Sequence, residues 1–522
     1  MDKLRRHPIL ILLIINLIIG LMIFRTYGLS WDEPLFYEYG DALRYAYKPA
    51  NWFNDFDLTR AFGTSASDHA NRGPAYLLLA APLVSFLRWL GLDIASAWHL
   101  TNFLTFNLGV YLLYRLASRW VDNWSALAVA ALFSAQPLLW GHAFINPKDI
   151  PFLVFFLGSV VFGFEMVDQW IENRRFPITK IILASFFLGI ATSIRVLGPL
   201  AAIITILYFG LQTLVRPANE SMSRLKSALR NTTPIWLYAV LSIAIMFAFW
   251  PYLWLDPLGK FIEVFIFMSD NPTQLNVLFA GENFRAGEIP RRYLPVLLAY
   301  TLTEPFWLLT IFGGLVAFWK SENKQRLTLA LLALWFLIPV AYVLLRRPAM
   351  YDGYRHFLFI LPPLFIFAGF AFQFLFQWLK GTWQKIAFLF AILAFGILPI
   401  MQLQPYQYAY YNNFAGGVGG VFRSYETEYW LTCYRESVLQ FNQQAPAGAQ
   451  LFVRREPYIA AYYASENITI RDFRTEQNDM QSGDFYLANS RSNEDLRFLR
   501  DEPSLIEISR MGATFCVIKQ MP

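Results

Sequence analysis

Long apolar stretches, separated by short basic or proline-containing segments, recur from the first residues to about Leu403 and then stop. The first, Pro8 to Phe24, follows Lys3, Arg5 and Arg6 and has no small-residue cleavage site after it, so it reads as an uncleaved span with a cytoplasmic amino terminus. Further stretches of about 18 or more residues begin near Ala95, Ser125, Ile150, Ile178, Val196, Thr233, Leu294, Leu327, His356 and Ile386, giving about eleven transmembrane helices in all. One more run, Gly73 to Leu87, lies between Arg72 and Arg88 and carries Pro74 and Pro82. It is short for a bilayer roughly 30 Å thick.

The status of that run sets the topology. If 73–90 crossed the membrane, Arg115/Arg119 and Arg174/Arg175/Lys180 would lie outside while the first basic cluster stayed inside, against the positive-inside bias. If 73–90 is interfacial or re-entrant, the clusters Arg115/Arg119, Arg174/Arg175/Lys180, Arg216/Arg224/Lys226/Arg230, Lys320/Lys324/Arg326 and Lys380/Lys385 all become cytoplasmic. The second arrangement is preferred. The outer face then receives a first loop over 25–72, the Asn146 to Asp149 loop, the turn at Arg195, Asp256 to Arg292, Arg346 to Arg355, and everything beyond Leu403.

From Gln404 the hydropathy falls and short β-like runs appear at Gln450 to Arg455, Asn467 to Phe473, Asp484 to Asn489 and Ala513 to Lys519. The expected architecture is an all-α polytopic membrane module over 1–403 followed by a small soluble α/β domain over 404–522 on the extracytoplasmic side. Composition agrees: of 522 residues 56% are hydrophobic and 15% charged, with a mean hydropathy of +0.37, which excludes a soluble globular enzyme. The net charge of +6 comes from basic clusters between apolar runs, as membrane orientation requires, and gives no indication of nucleic-acid binding. Cys433 and Cys516 lack metal-ligand spacing; in an oxidising compartment they would pair, and two separate buried thiols fit equally well. No GxGxxG or GxxxxGK[ST] motif is present.

Three places bring charge to the outer membrane level. Asp32 and Glu33 precede Pro34 just after the first span, where a plain helix N-cap and a functional acidic pair are both compatible with the residues. The stretch His142 to Pro151 sets Lys148 and Asp149 against an apolar span, either as a cap pair or facing an internal cavity. Arg346 to His356, with Tyr351, Arg355 and His356, is a basic turn that also suits lipid headgroups, and Arg195 sits in a short turn on the same side. Their convergence suits an anionic, membrane-anchored substrate. Arg72, Lys148, Arg195, Arg355 or His356 would neutralise a lipid-linked phosphate, and Asp32 would take the proton of an incoming hydroxyl.

These residues resemble the GT-C superfamily of polyprenyl-phosphate-sugar-dependent glycosyltransferases, near glycosyltransferase family 39, which includes protein O-mannosyltransferases and resembles the lipid A aminoarabinose transferase. Trp31-Asp32-Glu33 is similar to the acidic motif of that family's first outer loop, and Arg72-Gly73-Pro74-Ala75-Tyr76 to its basic-Pro-Pro-Leu-Tyr element, with Gly73 in place of a proline. Asn146 to Pro151 resembles the second acidic element. Tyr351 to His356, Pro405 to Asn412 and Glu428-Tyr429-Trp430 resemble patterns of bacterial members. The resemblance implies inverting transfer of a sugar from a polyprenyl-phosphate donor to a hydroxyl acceptor on the outer face of the inner membrane, with Asp32 as base, Glu33 assisting, Asp149 in the active site, and Tyr351 with the cations binding substrate. Arg195 stands where many members carry Lys. No cofactor is favoured; a divalent metal is left open, since lipid-diphosphate users often need one. A transporter or lipid flippase, and a structural or polymer-assembly membrane protein, are the competing classes.

Overall fold

The computed structural model describes residues 8–53, 55–64, 70–173, 175–214, 232–269 and 274–522. Lys3/Arg5/Arg6, Arg174 and Arg216/Arg224/Lys226/Arg230, on which part of the topology reading rests, lie outside the described residues. Each of the expected spans corresponds to a helix or a pair of helices. Ile9–Ile23, Ile94–Ala117, Asp149–Asn173, Ile178–Ile194, Pro199–Leu214, Thr233–Ala248, Asn323–Arg346, Pro362–Phe376 and Thr382–Gln402 are single helices. Two spans are broken: Asn123–Ser134 and Pro137–Ile145 bend by 64°, and Tyr293–Thr301 and Glu304–Lys320 by 106°. The first break falls where Pro137 cannot continue the preceding helix. Buried Gln136 serves both breaks, donating to Leu132 O and to Thr303 Oγ1 and accepting from Thr303 N at 3.1 Å, so backbone freed inside an apolar interior still finds partners.

By length and composition alone, four helices among the described residues are apolar enough to cross a membrane, or up to six if each bent pair is one span. Five further apolar helices have 10–17 residues, and Ala75–Trp89, inside the 73–90 segment, is one of them. The chain therefore has the build of a multi-pass helical membrane protein. Two expected starts shift: the run at His356 begins instead as a 3-10 helix, Arg355–Ile360, with the α-helix starting at Pro362, and the run at Val196 starts at Pro199. Proline at the first helical position accounts for both.

The helix Asp149–Asn173 is the axis of the bundle, buried along nearly its whole length. Asp149 opens it, and near its far end Glu165 pairs with Arg115 and with Lys180 while Asp168 pairs with Arg119. At 1.5 Å per residue these poles stand about 24–28 Å apart, close to the thickness of the hydrocarbon core. The Arg115/Arg119/Lys180 group and the Asp149/Arg195 group thus sit at opposite ends of one helix.

Beyond the last long helix the chain forms a five-stranded sheet, order β4-β3-β5-β7-β6, from β3 Ala449–Val453, β4 Ile468–Asp472, β5 Phe485–Asn489, β6 Ser504–Arg510 and β7 Ala513–Gln520. β4, β3 and β5 run parallel, and β5, β7 and β6 antiparallel. Strand alternation places Phe452, Tyr486 and Val517 in a small cluster on one face, while Leu451, Val453, Leu487 and Ile518 join the main core on the other. Helix Cys433–Phe441 carries Cys433, which is disulfide-bonded to Cys516 of β7, resolving the two alternatives left by the sequence. The strand β6 and the hairpin β1 Asn276–Phe279 with β2 Glu282–Arg285 were not anticipated; the hairpin lies between apolar runs where alternation is too short to register.

Candidate functional site

Asp32 occupies the N-cap position of helix Glu33–Leu43, yet its side chain makes no capping bond. Oδ2 instead accepts from Arg355 Nη1 at 3.2 Å, which decides against the plain cap. The loop before it is fixed on both sides. Trp31 N donates to Trp430 O at 3.1 Å, Tyr458 donates to Trp31 O at 2.8 Å, and Ser30 donates to Ile145 O at 2.9 Å. Gly28 passes so close to Thr432 that a Cβ there would stand 2.2 Å from the carbonyl oxygen.

Glu33 points elsewhere. Fully buried, it accepts from Ser30 N at 2.7 Å and from Tyr37 at 2.6 Å, and lies 3.1 Å from His99 Nε2. It braces the loop from inside, away from the carboxylate of Asp32.

The second acidic element is capped by Asn146, whose Oδ1 accepts from Lys148 N and Asp149 N at 3.1 and 2.8 Å. Released from capping, Asp149 meets three donors: Asn146 Nδ2 at 2.8 Å, Arg355 Nη1 at 3.3 Å, and Arg195. Arg195 is presented by extended backbone at the end of helix Ile178–Ile194. The last turn of that helix abuts the Arg72 loop, since a Cβ on Gly73 would lie 1.7 Å from Ser193 O. Tyr76, three residues on, donates to Asn102, which donates to Phe144 O at 2.8 Å. Lys148 sits over the Phe36 ring at 5.6 Å, and burial, with the Arg195 and Arg72 cations, holds its ammonium well below the usual lysine range.

Arg355 comes from the third element. Asp352 and Gly353 both have positive φ, 55° and 70°, a left-handed turn that Asp-Gly tolerates, and it brings Asp352 Oδ2 within 3.2 Å of Arg355 Nη2. One guanidinium thus faces three carboxylates: Asp32, Asp149 and Asp352. It also stacks over Trp430 and Tyr351 at 4.5 and 5.4 Å. Tyr351 meets His356 edge-on at 5.1 Å. The Nε atoms of Arg195 and Arg355 have no hydrogen-bond partner among the described residues, so both cations keep donor capacity at the cluster.

The structure therefore gathers Asp32, Lys148, Asp149, Arg195, Arg355 and the Arg72 loop at one pole, with Tyr351 and His356 beside Arg355, and leaves Glu33 in a separate buried pocket. Asn146 and Asp352 lie within these stretches without a role that the sequence assigns; an Asn just ahead of a helix is a ready cap signal, whereas Asp352-Gly353 signals a turn but not its ion pair with Arg355. Two further elements meet each other: fully buried Glu428 accepts from Tyr408, from Leu431 N and Thr432 N at 3.0 Å, and from Asn489 at 3.2 Å.

No protein-family model matches the chain, and no curated protein does. Among solved structures, the chain is similar to ArnT from Cupriavidus metallidurans in the apo state, with 13% identity, a TM-score of 0.51, and 98% of this chain and 97% of that one covered. The same ArnT bound to undecaprenyl phosphate gives 12% identity, a TM-score of 0.52 and the same coverage. Over nearly its whole length the chain thus shares the fold of ArnT, in line with the GT-C-like architecture expected from its sequence.

Proposed function

We propose that the chain is an inverting glycosyltransferase that moves a sugar from a polyprenyl-phosphate donor to a hydroxyl acceptor on the outer face of the inner membrane. The observation that carries this reading is the meeting of Asp32 with Arg355, Asp149 and Arg195 at one end of the helical bundle. A general base beside paired cations is what displacement of a lipid phosphate by a hydroxyl needs. The ArnT crystal form with undecaprenyl phosphate supports a polyprenyl phosphate as the lipid part.

In this mechanism the acceptor oxygen bonds to the anomeric carbon and gives its proton to Asp32. The bond between that carbon and the phosphate oxygen breaks, and its electron pair stays on the lipid phosphate. Arg195 and Arg355, whose Nε atoms have no partner among the described residues, take up the phosphate charge, while Arg72 adds positive potential and Lys148, with its ammonium held well below the usual lysine range, offers an amine to the same cluster. Asp149 fixes both guanidiniums by accepting from each. No step is assigned to a metal: Asp32 and Asp149 are already compensated by guanidiniums, and among the described residues no group of three or more His, Cys, Asp or Glu side chains is arranged to hold one.

The reading places the amino terminus in the cytoplasm and the 404–522 domain outside, with residues 1–403 as the catalytic module, about eleven crossings and 73–90 in the interface. The Cys433–Cys516 bond supports an oxidising side for that domain. Purified protein mixed with polyprenyl-phosphate sugars should release polyprenyl phosphate; accumulation of lipid or solute in sealed vesicles without sugar transfer would instead support a transporter.

A further inference from the structure

Arg491 lies on the C-terminal domain, in the segment that follows β5, and is 1% exposed. The two residues after it, Ser492 and Asn493, have φ of 50° and 58°, a left-handed turn that aims the arginine back toward the helical bundle. Its Nη1 stands 2.7 Å from Asp352 Oδ1 and donates to Tyr429 O at 3.0 Å. Its guanidinium also covers the ring of Trp31, the neighbour of Asp32, at 4.8 Å. The other oxygen of Asp352 faces Arg355.

We propose that Arg491 is a positioning residue for the Asp32–Arg355 pair, acting through Asp352, so that the C-terminal domain completes the site. Asp352 competes with Asp32 and Asp149 for one guanidinium, and all three ion-pair distances to Arg355 are similar, 3.2 to 3.3 Å. A second cation on Asp352 removes the need for Arg355 to turn toward it. Without Arg491, a fully buried carboxylate would hold only Arg355 and would draw it away from Asp32. A displacement of about 1 Å at a catalytic pair costs about 100-fold in rate. A simple clip between domains would not predict that outcome, because the effect here passes through the charge of Asp352.

The inference rests on the sugar-transfer reading for its rate measurement, and a second measurement is free of it. With the purified full-length protein and polyprenyl-phosphate sugars, Arg491→Met is expected to lower kcat about 100-fold and Arg491→Lys to give an intermediate rate. Removing both charges, Asp352→Asn with Arg491→Met, should restore most of the loss, because Arg355 then has only Asp32 and Asp149 to serve. Arg471→Met, at the β4 edge of the same sheet, should leave the rate unchanged. A double variant as slow as Arg491→Met, or a wild-type rate for Arg491→Met, overturns the proposal. Should Arg491→Met fail to fold, the folded double variant decides alone: a rate near wild type supports the relay, and a 100-fold loss overturns it. The thermal shifts of Asp32→Asn and Arg491→Met, alone and combined, need no turnover. Non-additive shifts support coupling through Arg355, and additive shifts reject it. Wild-type protein inert toward lipid-linked sugars would defeat the transferase reading while these shifts still judge the relay.

Discussion

Arg355 Nη1 stands 3.2 Å from Asp32 Oδ2, joining positions 323 residues apart. The pair is unequal to its neighbour: the Asp32 side chain keeps 18% of its surface exposed, whereas that of Asp149, on the same guanidinium, keeps none. Under the proposed transfer reaction this difference assigns the base to Asp32, which is open to an incoming hydroxyl, and the anchoring of the cations to Asp149, which is closed to it.

Arg195 anchors to Asp149 through Nη2, and its Nε has no hydrogen-bond partner among the described residues. Lysine would preserve the charge but lacks the planar fork. Arg195→Lys should therefore fold normally and lose about tenfold in kcat/KM, about 1.4 kcal/mol, and Arg195→Met should lose more. Steady-state kinetics with a polyprenyl-phosphate sugar checks both.

Gly73 touches the backbone of the Arg195 turn, and any Cβ there would overlap Ser193 O at 1.7 Å. Both partners are backbone, so neither can swing aside. Gly73→Ala is expected to separate the Arg72 loop from the Arg195 turn, destabilising the protein by about 1–3 kcal/mol and lowering transfer. A thermal unfolding scan alongside the transfer assay tests this.

Burial pushes the Glu426 carboxyl up to about 7 from an ordinary 4.5, with Arg491 opposing and Asp352 adding to the rise. The folded protein then binds a proton that the unfolded chain has released. The resulting stability is complete below about pH 4.5 and is lost as pH rises through about 7, a change of roughly 3 kcal/mol. Glu426→Gln should flatten this dependence and exceed wild type in stability above pH 7. Unfolding followed from pH 4.5 to 8 reads it directly.

The disulfide Cys433–Cys516 closes 83 residues of the C-terminal domain, holding helix Cys433–Phe441 to β7. Replacing both cysteines by serine should cost about 2–5 kcal/mol, visible as a lower unfolding temperature that reductant no longer changes.

Much of this arrangement is legible in the sequence because lipid imposes simple rules. Each long apolar run found a helix or a broken pair, since a membrane interior leaves the backbone few alternatives. Four of the five strands of the C-terminal sheet were read from alternation, and β6, SLIEISR, was missed although its burial alternates along its inner positions. What hydropathy does not encode is direction. Nothing in Trp31-Asp32-Glu33 tells that Asp32 turns to Arg355 while Glu33 turns to His99. Likewise Arg491 carries no local signal, because its meaning depends on Asp352, which is distant in sequence. The breaks at Ser134-Ala135-Gln136-Pro137 and Thr301-Leu302-Thr303-Glu304-Pro305 each carry polar residues followed by proline, but the apolar runs on both sides are long enough to read as one span, and only the paired bends explain Gln136.

The central claim is that Asp32 takes the proton of the acceptor, and the most direct measurement is release of polyprenyl phosphate by wild type and by Asp32→Asn, with the unfolding temperature of each recorded. The account predicts that the folded variant retains donor binding and loses transfer by about 10² to 10⁴. Transfer by Asp32→Asn at the wild-type rate would contradict it.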